Sequence, residues 1–173
     1  MIGRGKSIAQ GLTILDPDTG QGRPALDWTY GAHAVEVEVD TATGEIEVLQ
    51  IATCMDVGRV MNDAMLRGQV VGGVLQGIGT TLSEAVHYDQ QGRLLSRNYV
   101  DYKIPTFKDI PAKTDVMYIE TPQLDGPYGA RGIGEHPLIS ITAVIANAVA
   151  NATGAEFYDL PLSSDRVYNQ LLT

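Results

Sequence analysis

The stretch Ala34-Val35-Glu36-Val37-Glu38-Val39-Asp40 alternates valine with acid, and the fold is read outward from it. A period of two puts Val35, Val37 and Val39 on one face of an extended chain and the acids on the other, as a half-buried strand requires. Thr41-Ala42-Thr43-Gly44 then supplies turn residues, and Glu45-Ile46-Glu47-Val48 resumes the alternation. Together they predict a β-hairpin over about residues 31–52.

Downstream, Asn62 is a suitable N-cap for a helix over about 62–85, in which Leu66, Val70, Val74, Ile78 and Leu82 recur at i+4 and form one apolar stripe. Glycines interrupt it at positions 68, 72, 73, 77 and 79. Each costs a helix interior up to ~1 kcal/mol against alanine, so this helix calls for close packing against another backbone or a bulky ligand. The glycine spacing matches neither a dinucleotide fingerprint nor a P-loop. Val86-His87-Tyr88 and Leu94-Leu95 flank the turn Asp89-Gln90-Gln91-Gly92 and predict a second hairpin over about 86–98. An extended connection follows from Asp101 to Pro111, then a strand from Asp115 to Glu120. A second long helix is expected over about 136–152. Leu138, Ile141, Val144, Ile145 and Val149 make it apolar nearly all round, which predicts burial on most sides, and Gly154 ends it. A short helix over about 163–172 closes the chain. The turn-rich segment around Asp16-Pro17-Asp18-Thr19-Gly20 marks residues 1–29 as an irregular N-terminal arm preceding one domain over 30–173. The expected class is α+β, with β-hairpins packed against two long helices.

Composition narrows the function. The chain has 173 residues, enough for one core, and 21 acidic against 12 basic residues give a formal charge of −9. That balance, without any basic run, argues against nucleic acid as a partner. No apolar stretch reaches membrane-spanning length and no signal peptide is evident, so the cytoplasm is the expected location. The single cysteine, Cys54, lies in the apolar run Ile51-Ala52-Thr53-Cys54-Met55 and reads as a buried, inert thiol. His33, His87 and His136 have no ligand spacing, and no protein metal ligand set is expected.

The chemistry concentrates in Tyr128-Gly129-Ala130-Arg131-Gly132-Ile133-Gly134-Glu135-His136-Pro137. Its glycines permit close approach or positive φ, and Pro137 suits the first turn of a helix. Glu135 therefore stands at a helix mouth, where the dipole favours the ionised carboxylate. On spacing alone an acid there serves as an ordinary cap, and the same position suits a proton acceptor. Gln69 and Gln76, seven residues apart, share one helix face among the glycines, either as surface residues or as amides that donate to and accept from a flat ligand.

The run Gly129 to Leu138 resembles the active-site loop of the molybdopterin-binding subunit in the xanthine dehydrogenase/aldehyde oxidase family. Gly68-Gln69-Val70-Val71-Gly72-Gly73-Val74-Leu75-Gln76-Gly77-Ile78-Gly79 with Leu82-Ser83-Glu84, and Asn98 to Thr106 with Asp109-Ile110-Pro111, resemble further segments of that subunit in the same order. The resemblance covers the chain from about Tyr30 onward. It implies a molybdopterin-type molybdenum cofactor, partly bound here by Gln69, Gln76, Gly132 and Gly134. It also implies Glu135 as the base in water-derived hydroxylation of an aldehyde, N-heterocycle or purine-like substrate. Electrons would pass to Fe–S and FAD groups on partner subunits or domains. Arg131 occupies a place where relatives often carry lysine. The family's subunit is several-fold longer, so the chain reads as its C-terminal segment, inactive alone and prone to self-association through an undocked apolar face. The alternative is a non-catalytic assembly or binding domain that retains the fold.

Overall fold

The computed structural model describes residues 3–6, 8, 10–25 and 28–172; the other positions of the N-terminal arm, and Thr173, lie outside the described residues. Strands β1 (Gly31–Val39) and β2 (Ile46–Asp56) form the expected antiparallel hairpin. In β2 the buried face changes phase. Ile46 and Val48 pair with Val39 and Val37, whereas Ile51 pairs with Val35, and Leu49 has no partner between them. This one-residue bulge lets even-numbered apolar residues before it and odd-numbered buried residues after it (Ile51, Thr53, Met55) share one sheet face. Cys54 consequently lies on the other face and is half-buried, more open than its apolar neighbours in sequence implied.

Helix α1 (Asp63–Leu82) starts where expected, with the Asn62 side chain accepting from the Met65 amide at 3.0 Å. Its apolar stripe is buried at Leu66, Val70, Val74 and Ile78, each contributing roughly 1.5–3 kcal/mol by removal from water. The chain then reaches β3 (Lys113–Ile119), which pairs parallel to β2, giving a mixed sheet in the order β1-β2-β3. The second hairpin is reduced to one bridge, Tyr88 with Leu94, around the Asp89–Gly92 turn. Its few apolar residues are exposed, so no core face extends the ladder.

The second long helix begins later than the sequence implies. His136–Leu138 form a separate 3₁₀ turn, and α2 (Ile141–Thr153) follows, ending at Gly154 with φ 77°. Burial on α2 is confined to Ile141, Ile145 and Val149, while Ala143 and Asn147 are exposed; its apolar character elsewhere comes from the half-buried Val144 and from alanines. Helix α3 (Ser164–Leu171) packs through Val167. The main core joins Ile51, Val74, Ile78, Ile141, Ile145, Val149, Leu162 and Val167, and both long helices cover the same sheet face. The glycines of α1 explain how closely. A Cβ at Gly73 would lie 3.0 Å from Pro137 Cβ, and one at Gly77 would lie 2.6 Å from Ile141 Cβ. Only glycine permits that approach, and it fixes α1 against the 3₁₀ turn and the start of α2. Among the described residues no helix is long and apolar enough to cross a membrane.

Candidate functional site

The segment from Gly126 to Glu135 lies along the end of the sheet and the exposed face of α1. Its first turn, Pro127–Gly129, holds Tyr128 at φ 57° and Gly129 at φ 84°. A non-glycine residue in that region is uncommon and gathers at functional loops. Of the three loop glycines only Gly129 uses a positive φ; Gly132 and Gly134 do not. The loop is then stitched to the β2–α1 connection. Arg59 N donates to Gly129 O at 2.9 Å, Arg131 N donates to Val57 O at 3.0 Å, and Gly58 bridges Ala130.

A buried carboxylate secures this seam. Asp56 Oδ1 accepts from the amides of Gly58 and Thr121, both at 3.2 Å, and lies 3.7 Å from Arg131 Nε. Burial pushes the Asp56 carboxyl up, but the hydrogen bonds from Gly58 and Thr121, with the Arg131 guanidinium, outweigh it and hold it below its ordinary value. Arg131 also donates to Thr121 O at 3.4 Å and to Trp28 O at 3.0 Å, tying the N-terminal arm to the loop. The sequence marks Arg131 as a loop charge but does not single out Asp56. Its signal was an acid closing an apolar strand directly before Val57-Gly58.

The residues singled out from sequence come together across α1 and this loop. Gln69 Nε2 donates to Gly134 O at 2.7 Å, and Gln76 Nε2 donates to Glu135 Oε1 at 3.1 Å. Glu135 precedes the 3₁₀ turn, yet its side chain makes no cap hydrogen bond, which removes the simple capping explanation. Gly132 and Gly134 face open space, since an added Cβ would meet nothing within 4 Å; the same holds for Gly68 and Gly72 on α1. Packing within the chain therefore accounts for Gly73 and Gly77 but leaves these four bare. Beside Gln69 a cavity of about 340 Å³ is lined by Met61, Met65, Leu66, Arg59 and Ile133.

The histidines stay apart from this cluster. His33 Nδ1 pairs with Thr53 Oγ1 at 2.9 Å, and burial pushes its imidazole down. His136, although adjacent to Glu135 in sequence, faces a separate small pocket with His33, and its buried Nδ1 has no hydrogen-bond partner. No group of three or more His, Cys, Asp or Glu among the described residues is arranged to hold a metal.

Comparison with known proteins agrees with this fold. Residues 4–111 match the family model of the molybdopterin cofactor-binding domain. The chain is 40% identical to an aldehyde oxidoreductase of Megalodesulfovibrio gigas over 96% of its own length and 18% of that protein's. It is 38% identical to the nicotine 6-hydroxylase large subunit of Paenarthrobacter nicotinovorans, over 81% of this chain and 17% of that one. Among solved structures, the aldehyde oxidoreductase from Desulfovibrio gigas superposes with a TM-score of 0.87 at 39% identity, covering 95% of this chain and 18% of that one. Quinoline 2-oxidoreductase from Pseudomonas putida 86 gives 0.77 at 33% identity, covering 82% and 18%. The chain thus spans less than a fifth of the length of these relatives.

Proposed function

Since the chain belongs to the molybdopterin cofactor-binding domain family of the xanthine dehydrogenase/aldehyde oxidase type, we propose that residues 30–173 carry the catalytic base of a molybdenum hydroxylase acting on an aldehyde or an N-heterocyclic, purine-like substrate. The observation that carries this reading is the pairing of two helix amides with one loop: Gln69 on Gly134 O and Gln76 on the Glu135 carboxylate.

The residues fit the implied cofactor. Bare backbone at Gly68, Gly72, Gly132 and Gly134 offers an approach that side chains would block, and each loop peptide there adds a donor and an acceptor. Gln69, Gly132 and Gly134 would hold the pterin portion while the Gln76 amide is taken up by Glu135, and the donor set contains no thiolate or imidazole cluster to compete for the metal. When bound, the molybdenum–pterin group supplies two-electron oxidation chemistry with water-derived oxygen. Everything else falls to the chain. Glu135 is exposed and has one oxygen held by Gln76, which leaves Oε2 to accept a proton. Gln69 fixes the peptide preceding Glu135 and so its approach to the cofactor face. The Asp56–Arg131 seam holds the far end of the same loop. Partners in this reading are the rest of the molybdenum subunit and Fe–S and FAD components. It is supported by relatives named as subunits, including a nicotine 6-hydroxylase large subunit and subunit gamma of a 6-hydroxypseudooxynicotine dehydrogenase complex.

The test is Glu135→Gln in the complete enzyme. It keeps size and hydrogen bonding but removes the base, so substrate oxidation should fall by about 10²–10⁴-fold while molybdenum and pterin content stay at the parent level. Oxidation within a few-fold of the parent rate overturns the assignment of Glu135. Absence of molybdenum from the complete parent enzyme overturns the catalytic reading and leaves an assembly or binding domain.

A further inference from the structure

The Gln76 amide reaches Glu135 from an element 59 positions away in the chain, and both ends of that contact are mechanically fixed. Gln76 stands mid-helix between Gly73 and Gly77. Those glycines seat α1 directly on Pro137 and Ile141, the first two anchor points after Glu135. The helix and the loop are therefore held at one separation by backbone-close contacts on either side of the hydrogen bond. Gln69 holds the preceding peptide through Gly134 O. Glu135 itself has no cap bond and an exposed side chain, with several rotatable bonds that leave its carboxylate free to swing. Among the described residues, the side-chain donor that orients it is the Gln76 amide.

We propose that Gln76 is a positioning residue that acts on the reaction through Glu135. Its role differs from the pterin contact that the resemblance implies: the Nε2–H donor takes one carboxylate oxygen, holds the plane of the carboxylate, and presents the other oxygen to the reacting proton. The proposal rests on Glu135 as the base. It explains why an amide stands here, since a carboxylate at position 76 would repel Glu135 and an alkyl chain would leave it unoriented.

Three variants of the complete molybdenum enzyme test it. Gln76→Met is close in shape and suits a helix, but lacks the donor. Gln76→Lys restores a donor at similar reach. Gln76→Glu replaces the donor with a like charge. For each, molybdenum and pterin per subunit, kcat and KM are measured, the methionine variant is also made on the Glu135→Gln background, and crystal structures record the Glu135 carboxylate. Gln76→Met should retain the parent's cofactor content and KM and lose about 10–10²-fold in kcat, the scale of an ångström-level misplacement. Its Glu135 carboxylate should be rotated away from the parent position. Gln76→Lys should recover most of the loss, and Gln76→Glu should lose more than Gln76→Met. On the Glu135→Gln background Gln76→Met should add nothing, because residues acting through one another are non-additive. Cofactor loss in proportion to activity would make Gln76 a cofactor ligand and overturn the proposal. Parent-like kcat, or a full extra loss on the Glu135→Gln background, would overturn it too. A fully active Glu135→Gln single variant overturns the base assignment, and this role with it; that result is read separately from the Gln76 series.

Discussion

Replacing Gly77 and Gly72 by alanine should move stability in opposite directions although both lie in the interior of α1. Alanine is favoured over glycine in a helix by roughly 0.8–1 kcal/mol. At Gly72 nothing lies within 4 Å of the new methyl group, so the whole gain is realised and the protein is stabilised by about 1 kcal/mol. At Gly77 the new carbon would lie 2.6 Å from Ile141 Cβ, 2.8 Å from its Cγ2 and 3.1 Å from its Cγ1. Ordinary carbon contacts are about 3.5–4.0 Å, so α1 and α2 must separate by roughly an ångström. Ile141 is fully buried and branched, with no flexible end to swing aside. Overpacking of this kind typically costs about 1–3 kcal/mol, which offsets or exceeds the propensity gain and leaves Gly77→Ala destabilised by up to about 2 kcal/mol. Urea unfolding followed by circular dichroism should therefore show midpoints shifted to opposite sides of the parent with unchanged slope. The same pair has a functional signature. Gly72 lies between Gln69 and Gln76 on the helix face, so its alanine variant, though more stable, should lower cofactor content in the complete enzyme. A Gly77→Ala protein stabilised as much as Gly72→Ala would refute the close seating of α1 on α2. A stabilised Gly72→Ala enzyme with full cofactor content would refute the approach of the cofactor to this face.

Gln69→Ala removes the bond to Gly134 O and should lower cofactor retention more than the turnover of the enzyme that remains loaded, read as molybdenum per subunit against rate per molybdenum. Asp56→Asn keeps an acceptor for Gly58 and Thr121 but removes the charge facing Arg131, and should destabilise by about 1–3 kcal/mol near neutral pH. Because the folded carboxyl is held below the unfolded value of about 3.9, its contribution is complete above that pH and is lost as pH falls through the lower folded value. The gap in melting temperature between parent and Asp56→Asn should accordingly be flat from pH 6 to 8 and narrow only at strongly acidic pH; a gap that opens on acidification contradicts the seam. The 173-residue chain by itself should purify without stoichiometric molybdenum, since its described residues offer the cofactor two side-chain amides and one strip of open glycine; metal analysis decides this.

Local periodicity made much of the scaffold legible. Alternating valines placed β1, the i+4 stripe placed α1, Asn62 and Gly154 marked helix ends, and each of these depends on neighbours within a few residues. The motifs around Gln69 and Glu135 were also visible as local sequence. Their chemistry was not, because it arises from contacts between distant segments. The parallel pairing of β3 with β2 is set by the crossover through α1, which brings Val116 and Tyr118 onto the Met55–Val70 cluster. Leu49 changes the phase of β2 only because the hairpin register leaves it unpaired. The expected helix from residue 136 splits into a 3₁₀ turn and α2 where Pro137 and Ile141 must meet Gly73 and Gly77, a constraint imposed by the facing helix. By itself the sequence determined the first hairpin, α1 and the end of α2, and which residues carry reactive groups. Only the tertiary structure decided that Gln76 holds Glu135 and that Asp56 faces Arg131, because such distances are set by how α1 packs on the loop and leave no mark on the residues beside them.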